Sequence, residues 1–280
     1  MMRVEKERDH VKELFEKLGL DVEKINPNIM RKLRLLDAKT PTFKDEEGSL
    51  QLARLLFEYY EEKFPDRIFT DQEQKTVLTG TMFTDIGKTG PRDATSEQEI
   101  VILDIYNTEN VPDPDRITLL GFMLEYFPTD AEERLKTIEI ITKISRDMTM
   151  REFYNLHSEW TLQIISGDGV PPEAVAAAAV HHMLEGINPE EIVGKDGRFT
   201  KYFGENTSFS RDDKLIIVLD HYDALRRRGK KSHKEAIELL KKKIKSNPNF
   251  TEDQEFDELV DNLDAMISGD ENIYPALFEQ

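Results

Sequence analysis

The sequence predicts an all-α protein, and three observations carry that prediction. Glycine and proline are sparse, 14 and 12 among 280 residues. Apolar residues recur at helical spacing along nearly the whole chain, and strand-like alternation is missing. Several of these periodic stretches open on Ser or Thr followed three residues later by Glu, the pattern of a capping box.

The elements follow in order. Residues 3–18 place Val4, Val11, Leu14, Phe15 and Leu18 on one broad face, and a second short helix fits 28–37. Together they are expected to form an N-terminal helical extension over 1–38. KTPTFKDEEG, 39–48, reads as a loop because of Pro41 and Gly48. Leu50, Leu52, Ala53, Leu55, Leu56 and Tyr59 then mark an amphipathic helix. Thr70 and Glu73 form a capping box, so a helix starts near 71 and runs toward Asp85, stopping at Gly87, Gly90 and Pro91. Ser96 and Glu99 repeat the pattern before a helix over 97–106. NTENVPDPD, 107–115, is a polar loop, and helices fit 116–126, 131–146 and 150–166. GDGV, 167–170, is a turn, and Pro171 and Pro172 suit the first turn of the helix EAVAAAAVHHML. Residues 186–207 are loop-like. Helices fit 211–227, 233–246 and 252–268, the last two capped by Ser232 and Thr251. No internal repeat or low-complexity linker divides the chain, so one continuous domain over 39–270 follows the extension.

Bulk properties narrow the function classes. A hydrophobic content of 38% supports a packed core, while 56 acidic against 38 basic residues give a formal charge of −18. That charge argues against nucleic acid and against an anionic membrane as partners, since both would be repelled. No apolar run is long enough to cross a bilayer, and the charged N-terminus has no signal-peptide core, so a cytoplasmic location is expected. Cysteine is absent, which excludes disulfides and thiolate metal sites. Any metal falls to His, Asp or Glu.

Three constellations can carry chemistry. His181 and His182 are adjacent in an apolar stretch. On a helix they would point about 100° apart, reaching a cleft from two angles or leaving one exposed and one hydrogen-bonded. Asp85 and Lys88 sit in TDIGK at a helix end, three residues apart, as a surface ion pair or a site. GKT at 87–89 does not make a P-loop, because Met82 stands where the first glycine belongs and no strand precedes it. Asp220 follows IIVL inside KLIIVLDHYDAL, a place for a carboxylate that is paired, ligates a metal, or turns to solvent toward Arg226, Arg227 or Arg228.

These segments, in this order, resemble the HD-GYP branch of the HD superfamily of metal-dependent phosphohydrolases. TDIGK at 84–88 resembles its His-Asp motif, NLHSEWTLQII at 155–165 its single-histidine helix, and AAVHHMLEGINPEEI at 178–192 its paired-histidine segment. IIVLDHYDAL at 216–225 resembles the closing aspartate helix, and KSHKEAIELL and FDELVDNL resemble the last two helices. The resemblance covers about 30–268. It implies an HD-domain-like helical bundle, with residues near 100–145 as an insertion. It also implies metal ligation by Asp85, His157, His181, His182 and Asp220, with Asp85 and Lys88 in the catalytic role. Two departures stand out: Gly48 and Thr84 occupy the places of the expected histidines, and the Gly-Tyr-Pro loop survives only as Gly186-Ile187-Asn188-Pro189.

By that resemblance one of two metal sites loses two imidazoles, with Glu46 or Glu47 as candidate replacements, and the other keeps three imidazoles and a carboxylate. Such a set suits Fe, Mn, Zn or Ni, one ion rather than two. The implied function is a degenerate signalling-related domain with a residual metal site and impaired or absent phosphodiesterase activity. The alternative is an active phosphohydrolase acting on a cyclic dinucleotide, a nucleotide or another phosphoester. The expected partners are such a phosphoester ligand, a protein, or a second copy through helix 3–18.

Overall fold

A computed structural model of the chain describes residues 9–108, 111–167, 169–189, 191–195, 210–270 and 273. Among the described residues there are twelve α-helices and no strand, as the periodicity predicts. In chain order they are α1 (His10–Lys17), α2 (Pro27–Lys39), α3 (Thr42–Lys63), α4 (Asp71–Phe83), α5 (Ser96–Tyr106) and α6 (Leu119–Tyr126), then α7 (Ala131–Ile138), α8 (Met150–Ile165), α9 (Pro172–Ala179), α10 (Arg211–Arg227), α11 (His233–Ser246) and α12 (Gln254–Gly269).

Helix α4 is the hub of the main layer, packed on α3, α9 and α10, while α10 also meets α11 and α12. Small residues make this possible. Ala174 and Ala176 through Ala179 of α9 are all buried. A Cβ on Gly80 of α4 would lie 2.2 Å from Ile216 Cδ1 of α10, so the two helices meet at close range. A second apolar cluster joins α5, α6 and α7 to the outer part of α8, with Ile102, Phe122, Leu135, Phe153 and Trp160 at its centre. It holds the segment expected as an insertion near 100–145. The boundary expected at 38 is not a break in the core: Val11, Phe15, Leu33 and Leu36 bury into the same cluster as Leu56, Phe83 and Ile216.

Several boundaries differ from the sequence reading, each for a local reason. Residues 3–8 of the first helix lie outside the described residues; from His10 it stands capped by Asp9. The segment 39–48 is not a loop beyond Pro41, which serves as N-cap of α3. Proline is tolerated at a helix start, and the length of α3 absorbs Gly48 within it. The cap of α5 is Thr95, bonded reciprocally with Gln98, because Glu99 is taken by an ion pair. Helix α6 starts only at Leu119, where Thr118 caps it and bridges to Thr149. Helix α7 ends at Ile138, and the chain reverses so that Arg146 clasps Glu139 through two nitrogens at 2.8 and 2.9 Å. Asp253, not Thr251, caps α12, its carboxylate accepting from Phe256 N–H at 2.9 Å. Of the loop at 186–207, residues 190 and 196–207 lie outside the described set.

Helix α2 is fastened to the rest by a buried ion cluster. Lys32 and Glu99 both have fully buried side chains and meet at 2.6 Å, and Arg31 grips the same carboxylate with two nitrogens. The Lys32 ammonium also donates to the Pro91 carbonyl at 3.0 Å. Burial pushes the Lys32 ammonium below its usual range, with Glu99 opposing. Removing one member of such a pair strands a charge and costs about 3–5 kcal/mol, whereas apolar replacement of both is far milder. Glu99→Ala is therefore expected to destabilise by that amount in urea denaturation, and the double variant Lys32→Met/Glu99→Leu to recover a large part of the loss.

Candidate metal centre

Helix α4 ends where the site begins. Thr84 closes it, its hydroxyl donating back to the Thr81 carbonyl at 3.0 Å. After Asp85 a single 3-10 turn, Ile86–Thr89, lies flat against α8. Gly87 N–H donates to Thr161 Oγ1 at 3.1 Å, and the Thr161 hydroxyl donates to the Thr84 carbonyl at 3.1 Å. A Cβ on Gly87 would stand 2.0 Å from the His157 carbonyl oxygen, so the approach requires glycine. This contact brings Asp85 Oδ1 to 3.9 Å from His157 Nε2.

His181 and His182 are not on a helix as the sequence reading has them. Helix α9 stops at Ala179, and both histidines lie in the turn before the 3-10 segment Met183–Glu185. His181 Nδ1 bonds the Ala178 carbonyl at 2.6 Å. A continuing helix would have given that carbonyl to the His182 backbone N–H. The rings of His181 and His182 consequently sit 4.0 Å apart, centroid to centroid, instead of diverging.

Asp85, His157, His181 and His182 each offer one ligand atom, and the four atoms lie within 4.8 Å of one another. His157 Nε2 and His181 Nε2 are 3.3 Å apart, and Asp85 Oδ1 is 3.7 Å from His181 Nε2. Metal–nitrogen bonds of about 2.1 Å place neighbouring ligand atoms about 3–4 Å apart, so these separations fit one ion. The tautomers point the same way. His157 Nδ1 bonds the Tyr154 carbonyl at 2.5 Å, and His181 Nδ1 bonds that of Ala178. A carbonyl can only accept, so both Nδ1 atoms carry the proton and, in the neutral rings, both Nε2 atoms present lone pairs. Two lone pairs facing at this distance repel unless a proton or a cation lies between them. Backbone carbonyls on the far ring nitrogen are also the usual orienting partners of metal-bound histidine.

Electrostatics disfavours a proton on His157 and on His182. Burial, reinforced by His181, pushes the His157 imidazole down to about 3. Burial and the other two imidazoles push His182 well below the usual histidine range. Burial tends to raise the Asp85 carboxyl, but Lys88 and the imidazoles of His181 and His157 outweigh it and hold the group ionised. Lys88 Nζ donates to Asp85 Oδ2 at 2.6 Å, leaving Oδ1 toward the imidazoles.

Asp220 stands one step away. Its Oδ2 is 3.7 Å from His182 Nδ1, and it lies outside the four-residue cluster. Burial raises its carboxyl above the usual range. Asp220 lines a cavity of about 610 Å³ that reaches Glu46, Asp85, Lys88 and Arg228. Glu46 is buried, and its Oε1 accepts the Asp85 backbone N–H at 3.3 Å. Thr84, whose hydroxyl is bonded within α4, takes no imidazole-like role. The remaining histidines serve elsewhere: His10 beside Asp37, His233 between Tyr222 and Asp264, and His221 near Glu185. Sequence reasoning passes over Tyr106 and Tyr154 and gives Asn155 and Arg228 no place in the site, yet all four line the cleft around the cluster. The one signal available was that Tyr154 and Asn155 lie within a helical turn of His157.

No family model, no curated protein and no solved structure matches this chain. The HD-GYP resemblance therefore rests on the motif order in the sequence.

The metal-free protein should lose stability on mild acidification. An unfolded histidine titrates near 6.5, so below that pH the unfolded chain binds more protons at His157 than the folded one does. Stability present above pH 6.5 is lost as pH falls toward the folded value of about 3. One such group removes about 1.4 kcal/mol per pH unit in that window. Between pH 6.5 and 5.5, where the unfolded histidine is still only partly protonated, His157 accounts for about 1 kcal/mol, and urea denaturation in chelator at the two pH values should show a loss that shrinks by about that amount in His157→Gln.

Proposed function

We propose that this chain is a degenerate HD-GYP-like domain that holds one divalent transition-metal ion and binds a phosphoester beside it, with impaired or absent hydrolysis. The facing Nε2 atoms of His157 and His181 carry the metal reading. Each is fixed by a backbone carbonyl on its other nitrogen, and both converge on Asp85. Nitrogen-rich, cysteine-free ligation favours Fe, Mn, Zn or Ni over calcium or magnesium. An ion bound there would supply Lewis acidity toward a phosphoryl oxygen.

The protein's own groups support an anionic ligand. Lys88 orients Asp85 and lines the cleft, where Arg227, Arg228 and Lys230 also gather. The same lining carries the carboxylates of Glu46, Asp85, Asp220 and Asp223, and Lys88 and Arg227 are taken by Asp85 and Asp223, which leaves Arg228 and Lys230 as the cations through which a phosphate is held. Impaired catalysis follows from what stands where a second ion would need ligands. Gly48 has no side chain to offer, and the Thr84 hydroxyl is committed to the Thr81 carbonyl. The other reading, an active phosphohydrolase, draws on the same cleft, since Lys88 and Asp220 both reach the cavity beside Asp85.

Metal analysis of protein purified without chelator, paired with hydrolysis of bis(p-nitrophenyl) phosphate under added Mn²⁺ or Fe²⁺, separates the two. The expected result is one equivalent of metal, lost in Asp85→Ala and His181→Ala, with turnover no higher than in those variants. Turnover that depends on Asp85, with two equivalents of metal, would establish the active reading instead. Protein that binds no transition metal would refute both.

A further inference from the structure

The segment that leaves α10 and runs along α11 reverses the charge of the chain around it. Residues 226–245 hold ten lysines and arginines against two glutamates, in a chain with 38 basic and 56 acidic residues. Arg228 and Lys230 belong to the cleft already described, but Lys234, Lys242 and Lys245 do not line it. Helix α11 buries Ala236, Ile237, Leu240 and Ile244. At 100° per residue, Lys234, Glu238, Lys242 and Lys245 fall on the opposite face, where all four are exposed. At the edges of that face the lysines are neutralised: Lys241 meets Asp261 of α12 at 2.5 Å, and Lys243 meets Glu185 at 2.9 Å. Along its crest, Lys234, Lys242 and Lys245 make no side-chain ion pair or hydrogen bond among the described residues. Glu235 is turned to Ser232 in the capping box, which leaves Glu238 as one carboxylate among three ammonium groups. Helix stability does not account for this ridge. The macrodipole favours Lys245 in the last turn, but Lys234 stands in the first turn, where a cation is disfavoured.

We propose that the exposed face of α11 is a docking surface for an acidic helical segment of another protein. The inference stands apart from the metal and phosphoester readings. Charge complementarity sets the sign of the partner, and the borders of the ridge set its width. Carboxylates flank the ridge, Asp261 on one side and Glu185 on the other. A helix with its side chains is about 10 Å across. A broader polyanion, such as an anionic bilayer or a DNA duplex, would be laid over those carboxylates as well, and at that range salt does not screen them. A single acidic helix meets the lysines alone. From Lys234 to Lys245 the ridge runs for about 16 Å, or about three turns, so glutamates one turn apart on a partner helix match it. No large apolar residue is exposed on α11. The contact is therefore electrostatic, quick to form and sensitive to salt.

Fluorescence anisotropy of a labelled alanine-based helical peptide, with glutamate at every fourth position, tests this by titration with the full chain. Binding is expected at low ionic strength and should be lost at high ionic strength. The triple variant Lys234→Gln/Lys242→Gln/Lys245→Gln should weaken it about tenfold. Lys39→Gln/Lys75→Gln/Lys136→Gln removes the same charge from exposed positions elsewhere and should leave it unchanged; circular dichroism verifies that both variants fold. No binding at low ionic strength, or equal weakening in the two triple variants, would overturn the docking surface. Tighter binding of duplex DNA or of phosphatidylserine vesicles than of the peptide, or self-association of the chain through the same three lysines, would overturn the acidic segment as its occupant.

Discussion

The seating of one 3-10 turn on one helix governs the rest of this site. Gly87 lies against α8 so closely that no Cβ fits between it and the His157 carbonyl, and Thr161 pins the turn by donating to Thr84 and accepting from Gly87. Because Asp85 precedes that turn and His157 belongs to that helix, the contact alone brings a carboxylate to an imidazole. The outgoing chain is gripped on its other side by the buried Lys32 ammonium, bonded to the Thr89 and Pro91 carbonyls. A turn pinned on both sides keeps its geometry without help from a ligand, which is the preorganisation that a binding centre requires.

Onto that frame the histidines add an unfavourable arrangement that a cation resolves. Three imidazoles share a buried space in which protonation of His157 and of His182 is discouraged, and two of the three are forced by backbone carbonyls to direct lone pairs at one another. Stability and ligation are thus opposed in the metal-free chain and aligned once charge enters the cluster. The same opposition appears more widely. Many basic side chains among the described residues are engaged in ion pairs, such as Arg211 with Glu73 and Lys214 with Asp253, while Arg228 stands at the junction of two cavities.

Much of the helical plan was legible because its causes are local. Capping at Thr70 and Ser232, proline at the start of α9, and apolar spacing in α10 each act within a few residues. The misreadings share a different cause, a distant group competing for a local one. Glu99 left the cap of α5 for Lys32, Arg146 reached back to Glu139 and shortened α7, and the Ala178 carbonyl went to an imidazole instead of a backbone N–H. Pro41 and Gly48 were read as breakers, but one sits at a helix start and the other inside a 22-residue helix.

What the sequence determined by itself is therefore the helical class, the absence of thiolate chemistry and the identity of the groups able to ligate, because residue type and short-range periodicity suffice for each. What only the tertiary structure decided is their convergence. Asp85, His157 and the pair at 181–182 come from segments far apart in the chain, and Asp220 stands beside the pair, not within the cluster. Distances between such groups depend on how helices seat against one another. That seating is set by steric fits such as Gly87 on α8 and by carbonyls freed or claimed at helix ends, neither of which has a signature in local sequence.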